Sequence, residues 1–353
     1  MTLTSPTHAE AAEAVERYVA SVVTGDRVAA GSVVDACLDG GWEPLDVVCD
    51  VLAPSQAQVG RRWEEGRWSV AMEHRASVIT AGQLEQLSAL APAAPDLADA
   101  QGPVPVVCCE GEWHTLAAEM AATVMRMRGI PAEMIGPSLP AEEIAGYLGA
   151  DPPRVVAVSC SLPMHLIGAW RTITALRACG VAVVAGGRGF GPHGRWALAL
   201  GADHAAPDFR AGADLVQRLR GGPAGLPLGD AVPADVAAEV EVLRREAPAW
   251  TEVATQAARD QWPGLERRTA AVLATRADIE ETIQAIGSAV LVGDESLLRD
   301  YVAWFEGVIA ARELPLSFVS SAFVLLHAAI PATLPRLRDM TRVGVESATQ
   351  PIA

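Results

Sequence analysis

Between residues 104 and 206 short apolar runs alternate with helix-length segments, and this alternation restricts the fold more than any other feature of the 353-residue chain. Val104 to Cys109 reads as a buried strand, and Thr115 to Arg128 as the helix after it. Pro131 to Ile135 then predicts a second strand, Ala141 to Leu148 a helix, and Val155 to Ser159 a third strand. Leu166 to Cys179 continues as a helix, Val181 to Ala185 as a fourth strand, and Ala205 suggests a short last one. Strands separated by helices pair in parallel, because each helix carries the chain back along the sheet. The expectation for residues 103–222 is a doubly wound parallel sheet of Rossmann or flavodoxin type.

Both flanks read as helix alone. Ala11, Val15, Tyr18, Val19 and Val22 repeat at helical spacing, Val33 to Cys37 forms a second run, Pro44 opens a third through Val59, and Trp68 to Leu90 gives a fourth. Four helices of this size predict a bundle over residues 8–93. An Ala/Pro/Asp-rich linker around residues 94–104 and a Gly/Pro-rich one from Gly221 to Pro233 separate the three segments. In residues 234–353 Ile279, Ile283, Ile286 and Val290 mark one apolar face, and Asp294 can cap the helix carrying Leu298, Tyr301, Val302, Phe305 and Ile309. Val319, Phe323, Leu326 and Ile330 line another, so the third domain is expected to be all-α. The whole is an α plus α/β multidomain chain.

A net charge of −16 without a Lys/Arg cluster argues against nucleic acid as a direct partner, since a duplex needs a basic surface to neutralise its phosphates. The polar start, Met1 to Glu10, predicts no secretory leader, and no apolar stretch is long enough for a membrane span. Six cysteines sit singly or as one vicinal pair in apolar runs, as buried thiols of a cytoplasmic protein would.

The first strand of the central domain runs into Glu110, Gly111, Glu112, Trp113 and His114. Ligands of open α/β sheets bind at the carboxyl ends of the strands, which places His114 where a cofactor belongs. Imidazole is a good donor to a transition metal such as cobalt, and Glu112 could hold its other ring nitrogen. From position alone, a surface loop histidine is the alternative.

Glu112, His114 and Ala117 are similar to the Asp-x-His-x-x-Gly signature of cobalamin-binding domains. In that family the histidine replaces dimethylbenzimidazole on cobalt, and the nucleotide tail enters the domain. Ser159 and Ser161 follow the third strand where the family has Ser-x-Leu, and Gly186 with Gly187 ends the fourth, where backbone must approach the tail closely. The departures are Glu for Asp, Ala117 for Gly and Ser161 for Leu. The resemblance implies His114 as the cobalt ligand, with Glu112, Ala117, Ser159, Ser161, Gly186 and Gly187 around the cobalamin.

In the amino-terminal bundle Trp63 is followed after nine residues by Glu73 and His74. By themselves these would be a bundle tryptophan and a solvated pair. Their spacing resembles the Trp-x9-Glu-His motif of light-sensing B12 proteins, including the light-dependent carotenoid-gene repressors. There the tryptophan packs on the upper adenosyl group of adenosylcobalamin and the Glu-His pair sits beside it. Val70 belongs to the same implied cap. Glu64 stands where those repressors have a histidine able to take the upper cobalt position after light, and their DNA-binding domain is absent from the matched segment.

The arrangement of helical cap, cobalamin domain and helical tail resembles the photocobilins, photoreceptors whose globin-like domain holds biliverdin beside B12. That resemblance implies a light sensor rather than an enzyme, with light-dependent self-association or a signalling partner. The third segment has no cysteine, so the implied biliverdin is non-covalent, with Trp304, Arg312, His327 and Arg336 as its expected contacts. From the residues themselves, His327 among apolar neighbours is more simply a satisfied core histidine. Two further readings stay open: a corrinoid methyl carrier of a methyltransferase system, and a B12 sensor whose helical tail is an interaction or haem module.

Overall fold

The computed structural model describes residues 5–65, 67–92, 102–221, 231–261, 269–311 and 315–348. Arg312 and most of both expected linkers lie outside the described residues.

The chain begins with α1 (His8–Thr24) and α2 (Arg27–Asp39). Thr7 and Glu10 form a reciprocal capping box on α1, and Asp26 accepts the Ala29 N–H at 2.9 Å to start α2. Then α3 (Pro44–Val47) passes through a π-helical turn, Val48–Leu52, into α4 (Ala53–Glu64), so three labels describe one bent helix. Ser69 caps α5 (Val70–Ser88). These helices bury Tyr18, Val19, Val22, Val48 and Leu52, an apolar interior consistent with the expected four-helix unit.

The central domain follows: β1 (Val104–Cys108), α6 (Thr115–Met127), β2 (Ala132–Met134), α7 (Ile144–Leu148), β3 (Val155–Ser159), α8 (Leu166–Ala178), β4 (Ala182–Gly186), α9 (Arg195–Ala199), β5 (His204–Ala206) and α10 (Phe209–Gly221). All strand pairs are parallel, in the order β2-β1-β3-β4-β5. This is the flavodoxin-type order of a doubly wound sheet, as expected. Two helices, α9 and α10, go beyond the elements that the periodicity signals.

The carboxy-terminal layer is all-α: α11 (Ala234–Gln261), α12 (Thr269–Val292), α13 (Glu295–Ala311), α14 (Ser317–Ala329) and α15 (Pro335–Ala348). Among the described residues no helix is long and apolar enough to cross a membrane.

Alternation along the strands sorts the flanking domains. Val107, Val156, Val158 and Val183 join one core with α8 and α11 to α14. Val104, Val106, Cys108, Ala157 and Val184 join the other with α6, α10 and the amino-terminal bundle. The two helical domains thus feed opposite faces of one sheet. A Cβ at Gly287 would lie 2.7 Å from Ile167 Cδ1, so glycine lets α12 press directly on α8. On the other side Arg210 of α10 pairs with Asp46 and Asp50 of the bundle, each at 2.7 Å.

Candidate functional site

After β1 the chain turns sharply at Gly111, and the Glu112 N–H closes the turn on the Cys109 carbonyl at 2.9 Å. This buries the Glu112 side chain completely, and its carboxylate gathers the neighbouring loops. Oε1 accepts the His114 N–H at 2.9 Å and faces His114 Nδ1 at 2.5 Å. Oε2 accepts the Ser161 N–H at 2.6 Å and faces His165 Nδ1 at 3.2 Å. Burial alone would push this carboxyl up, but the hydrogen bonds from His114 and His165 outweigh it and hold the group well below the usual carboxylate range. The same contact raises the His114 pKa against burial, and the charges of Glu112 and Glu73 add to it.

A carboxylate at Nδ1 fixes the proton there and leaves Nε2 with its lone pair. The His114 side chain is 56% exposed, so the ring offers one oriented nitrogen outward from a buried base. His165, which lies outside the expected set, shares that base, its ring 6.4 Å from His114. Its only sequence signal is its place in the Pro163–His165 turn that follows the third strand.

Beside the loop a cavity of about 470 Å³ opens at the carboxyl end of the sheet. Ala117, Ser159, Gly186 and Gly187 all line it, together with Ala121 of α6 and Phe209 of α10, while Cys49, Ala53 and Ala57 close it from the bundle. Gly187 has φ +113°, and a Cβ there would meet the Cys160 carbonyl oxygen at 2.2 Å. Only glycine keeps this wall both thin and unstrained. Ser161 lies outside this lining; its N–H serves Glu112 instead.

The expected cap residues lie on α4 and α5. Trp63 is in the last turn of α4, and Glu64 ends that helix, its side chain outside the description. Glu73 accepts from Ser77 Oγ at 2.7 Å, and Ser77 in turn accepts from Gln56 Nε2 at 2.7 Å. His74 Nε2 stands 3.6 Å from Glu73, with 73% of its side chain exposed. Val70 is exposed as well.

Of the residues expected around a bilin, Arg312 lies outside the described residues, and the other three already have protein partners. Trp304 packs on Trp63, ring centroids 6.0 Å apart. His327 Nδ1 lies 2.7 Å from Thr341 Oγ1, and its Nε2 2.7 Å from Arg338. Arg336 pairs with Asp235 and Glu239 of α11. The tryptophan thus faces the bundle while His327 and Arg336 join α15 to α14 and α11.

An oriented imidazole nitrogen, a buried carboxylate behind it, and an adjoining cavity walled by alanine, serine and glycine have the chemistry that a metal arriving in its own macrocycle would need. A corrinoid needs one protein nitrogen for cobalt and a cleft for its nucleotide tail, and these residues fit both. Residues 14–87 and residues 102–212 match two families, each described as a B12 binding domain. The chain is a cobalamin-binding protein that carries B12 binding domains over these residues.

Its similarity to the HTH-type transcriptional repressor CarH of Myxococcus xanthus is 31% identity over 144 residues, which is 41% of this chain and 46% of the repressor. The chain therefore spans less than half of that relative. A monomethylamine corrinoid protein of Methanosarcina barkeri shares the fold at a TM-score of 0.50 and 16% identity, over 59% of this chain and 99% of its own.

Proposed function

We propose that this protein is a B12-dependent photoreceptor, not an enzyme, which binds adenosylcobalamin with His114 on the lower face of cobalt. The observation that carries the cobalt assignment is the Glu112 carboxylate at 2.5 Å from His114 Nδ1, which leaves Nε2 as the donor. The cavity lined by Ala117, Ser159, Gly186 and Gly187 takes the nucleotide tail. Trp63, Val70, Glu73 and His74 form the opposite wall, where Glu73 lies near enough for its charge to act on His114.

Adenosylcobalamin supplies a weak cobalt–carbon bond that visible light breaks. The protein's own contribution is a cap whose contacts depend on the upper group. Trp63 offers an aromatic face, and Glu73, held by Ser77, offers an acceptor to hydroxyl groups. Loss of an upper group removes contacts made only in the dark state, and that difference biases the cap between two arrangements. The consequence is a changed surface for self-association or for a signalling partner. The Arg210 pairs with Asp46 and Asp50 join the cap to α10 and are where such a shift meets resistance.

The third domain is assigned non-covalent biliverdin from the order of domains and from the lack of any cysteine after Cys179.

The test is an absorption spectrum of purified protein with adenosylcobalamin, with and without biliverdin, before and after green light, followed by size measurement. Photolysis with a change in oligomeric size is expected, with a red bilin band when biliverdin is added. Light-stable cobalamin would overturn the sensor reading in favour of a methyl carrier, and no red band would remove the bilin.

A further inference from the structure

One helix of the carboxy-terminal domain links the segment behind the tail cavity to Trp63. Just before α13, Asp294 accepts from Trp196 Nε1 at 3.0 Å and pairs with Arg195 at 2.8 Å. Those two residues follow the Gly191 to Gly194 turn that walls the tail cavity. Ser296 also donates to Asp294, through its N–H at 3.0 Å and its hydroxyl at 2.7 Å, so this end of the helix is firmly tied. Ten residues on, about 15 Å along a helix, Trp304 meets Trp63.

Trp304 stands on a rigid base. Its ring lies 5.6 Å from Tyr301 and 6.5 Å from Phe305, both buried. Tyr301 is anchored in turn by its hydroxyl, 2.9 Å from Thr282 Oγ1. Among the described residues, no second ring stands behind Trp63. It sits half-buried in the last turn of its helix, and Trp304 is the ring against it. Of the two, Trp304 is the fixed member and Trp63 the one that is held.

We infer that Trp304 is a positioning residue for the upper face: it backs Trp63, so that the carboxy-terminal domain sets how strongly the cap prefers a cobalamin with a bulky upper group. This rests on the reading of Trp63 as the residue that packs on that group. A supporting ring that is removed frees Trp63 to turn away, and the loss falls on the ligand whose upper group it packs against. A ligand with a small upper group loses nothing by it. An aromatic pair of this kind is worth about three- to tenfold in an equilibrium constant.

The experiment is the ratio of affinities for adenosylcobalamin and hydroxocobalamin, measured by titration in the dark on the full chain. Trp304→Ala and Trp304→Leu are expected to lower the ratio about three- to tenfold through adenosylcobalamin alone, while Trp304→Phe keeps it within about twofold. Hydroxocobalamin affinity reports whether each variant is folded, and the leucine variant retains apolar volume if alanine does not fold. An unchanged ratio, or a parallel loss for both cobalamins, would overturn the inference. Wild-type protein that binds both forms equally would overturn the reading of Trp63 as well. Wild type that discriminates, with variants that discriminate as well, would overturn only the role of Trp304.

Discussion

In the proposed reading, the His114 loop below cobalt and the cap above it are built on opposite principles. Below, one fully buried carboxylate ties together His114, His165 and the Ser161 amide, with both of its oxygens already engaged. Above, His74 is 73% exposed, Val70 projects from the first turn of α5, and Trp63 leans on a ring from another domain. A prearranged ligand costs little to use, because its orientation is fixed before the partner arrives. A loosely held wall can take two arrangements at small difference in free energy. Under the proposed function, the contrast separates a half that would hold cobalamin from a half that would respond to what cobalamin carries.

If the lower half is as rigid as its contacts imply, small changes there should be the most damaging. Gly187→Ala forces a Cβ to 2.2 Å from the Cys160 carbonyl at a left-handed φ, and should cost about 3 kcal/mol of stability in thermal melts of ligand-free protein. His114→Ala should weaken cobalamin binding by about a hundredfold, and a spin-resonance spectrum of the reduced cobalt should lose its histidine nitrogen splitting. Glu112→Gln keeps the shape but not the charge, and should cost about tenfold in affinity, the ordinary effect of losing a ligand's supporting carboxylate. Equal losses from His74→Ala would break the comparison, since an exposed side chain should alter hydroxocobalamin affinity by no more than about twofold. The smallest effect is expected from Arg210→Ala. This half-exposed clasp should contribute about 1 kcal/mol or less to stability, yet its loss should let the cap move more freely, seen as faster amide exchange in α3 and the π turn.

Much of this contrast was legible before the structure. Strand ends concentrate function in a parallel sheet, so Glu112 with His114 stands out by place, while Ser159 and Gly186 with Gly187 are marked by the family resemblance at two further strand ends. The order β1-β3-β4 then brings Ala117, Ser159 and the glycines, distant in sequence, to one cavity. His165 stayed hidden because it reaches Glu112 only through the fold of the turn after β3, and no local period marks such a contact. Helix α10 escaped notice for a related reason. Only Ala213 and Val216 of its apolar residues are fully buried, and it pairs with the bundle through Arg210 on Asp46 and Asp50, residues some 160 positions away. Asp294 was visible as a helix cap, but its second role, receiving Trp196, depends on how two domains dock. Side chains that join domains carry no pattern along the chain.

The most direct test of the fixed lower half and responsive upper half is amide hydrogen exchange on adenosylcobalamin-loaded protein, in the dark and after green light. The expected result is faster exchange in α4, α5 and α13 after light, with residues 110–117 and the Pro163–His165 turn unchanged. A change centred on the His114 loop, or none in the cap, would contradict it.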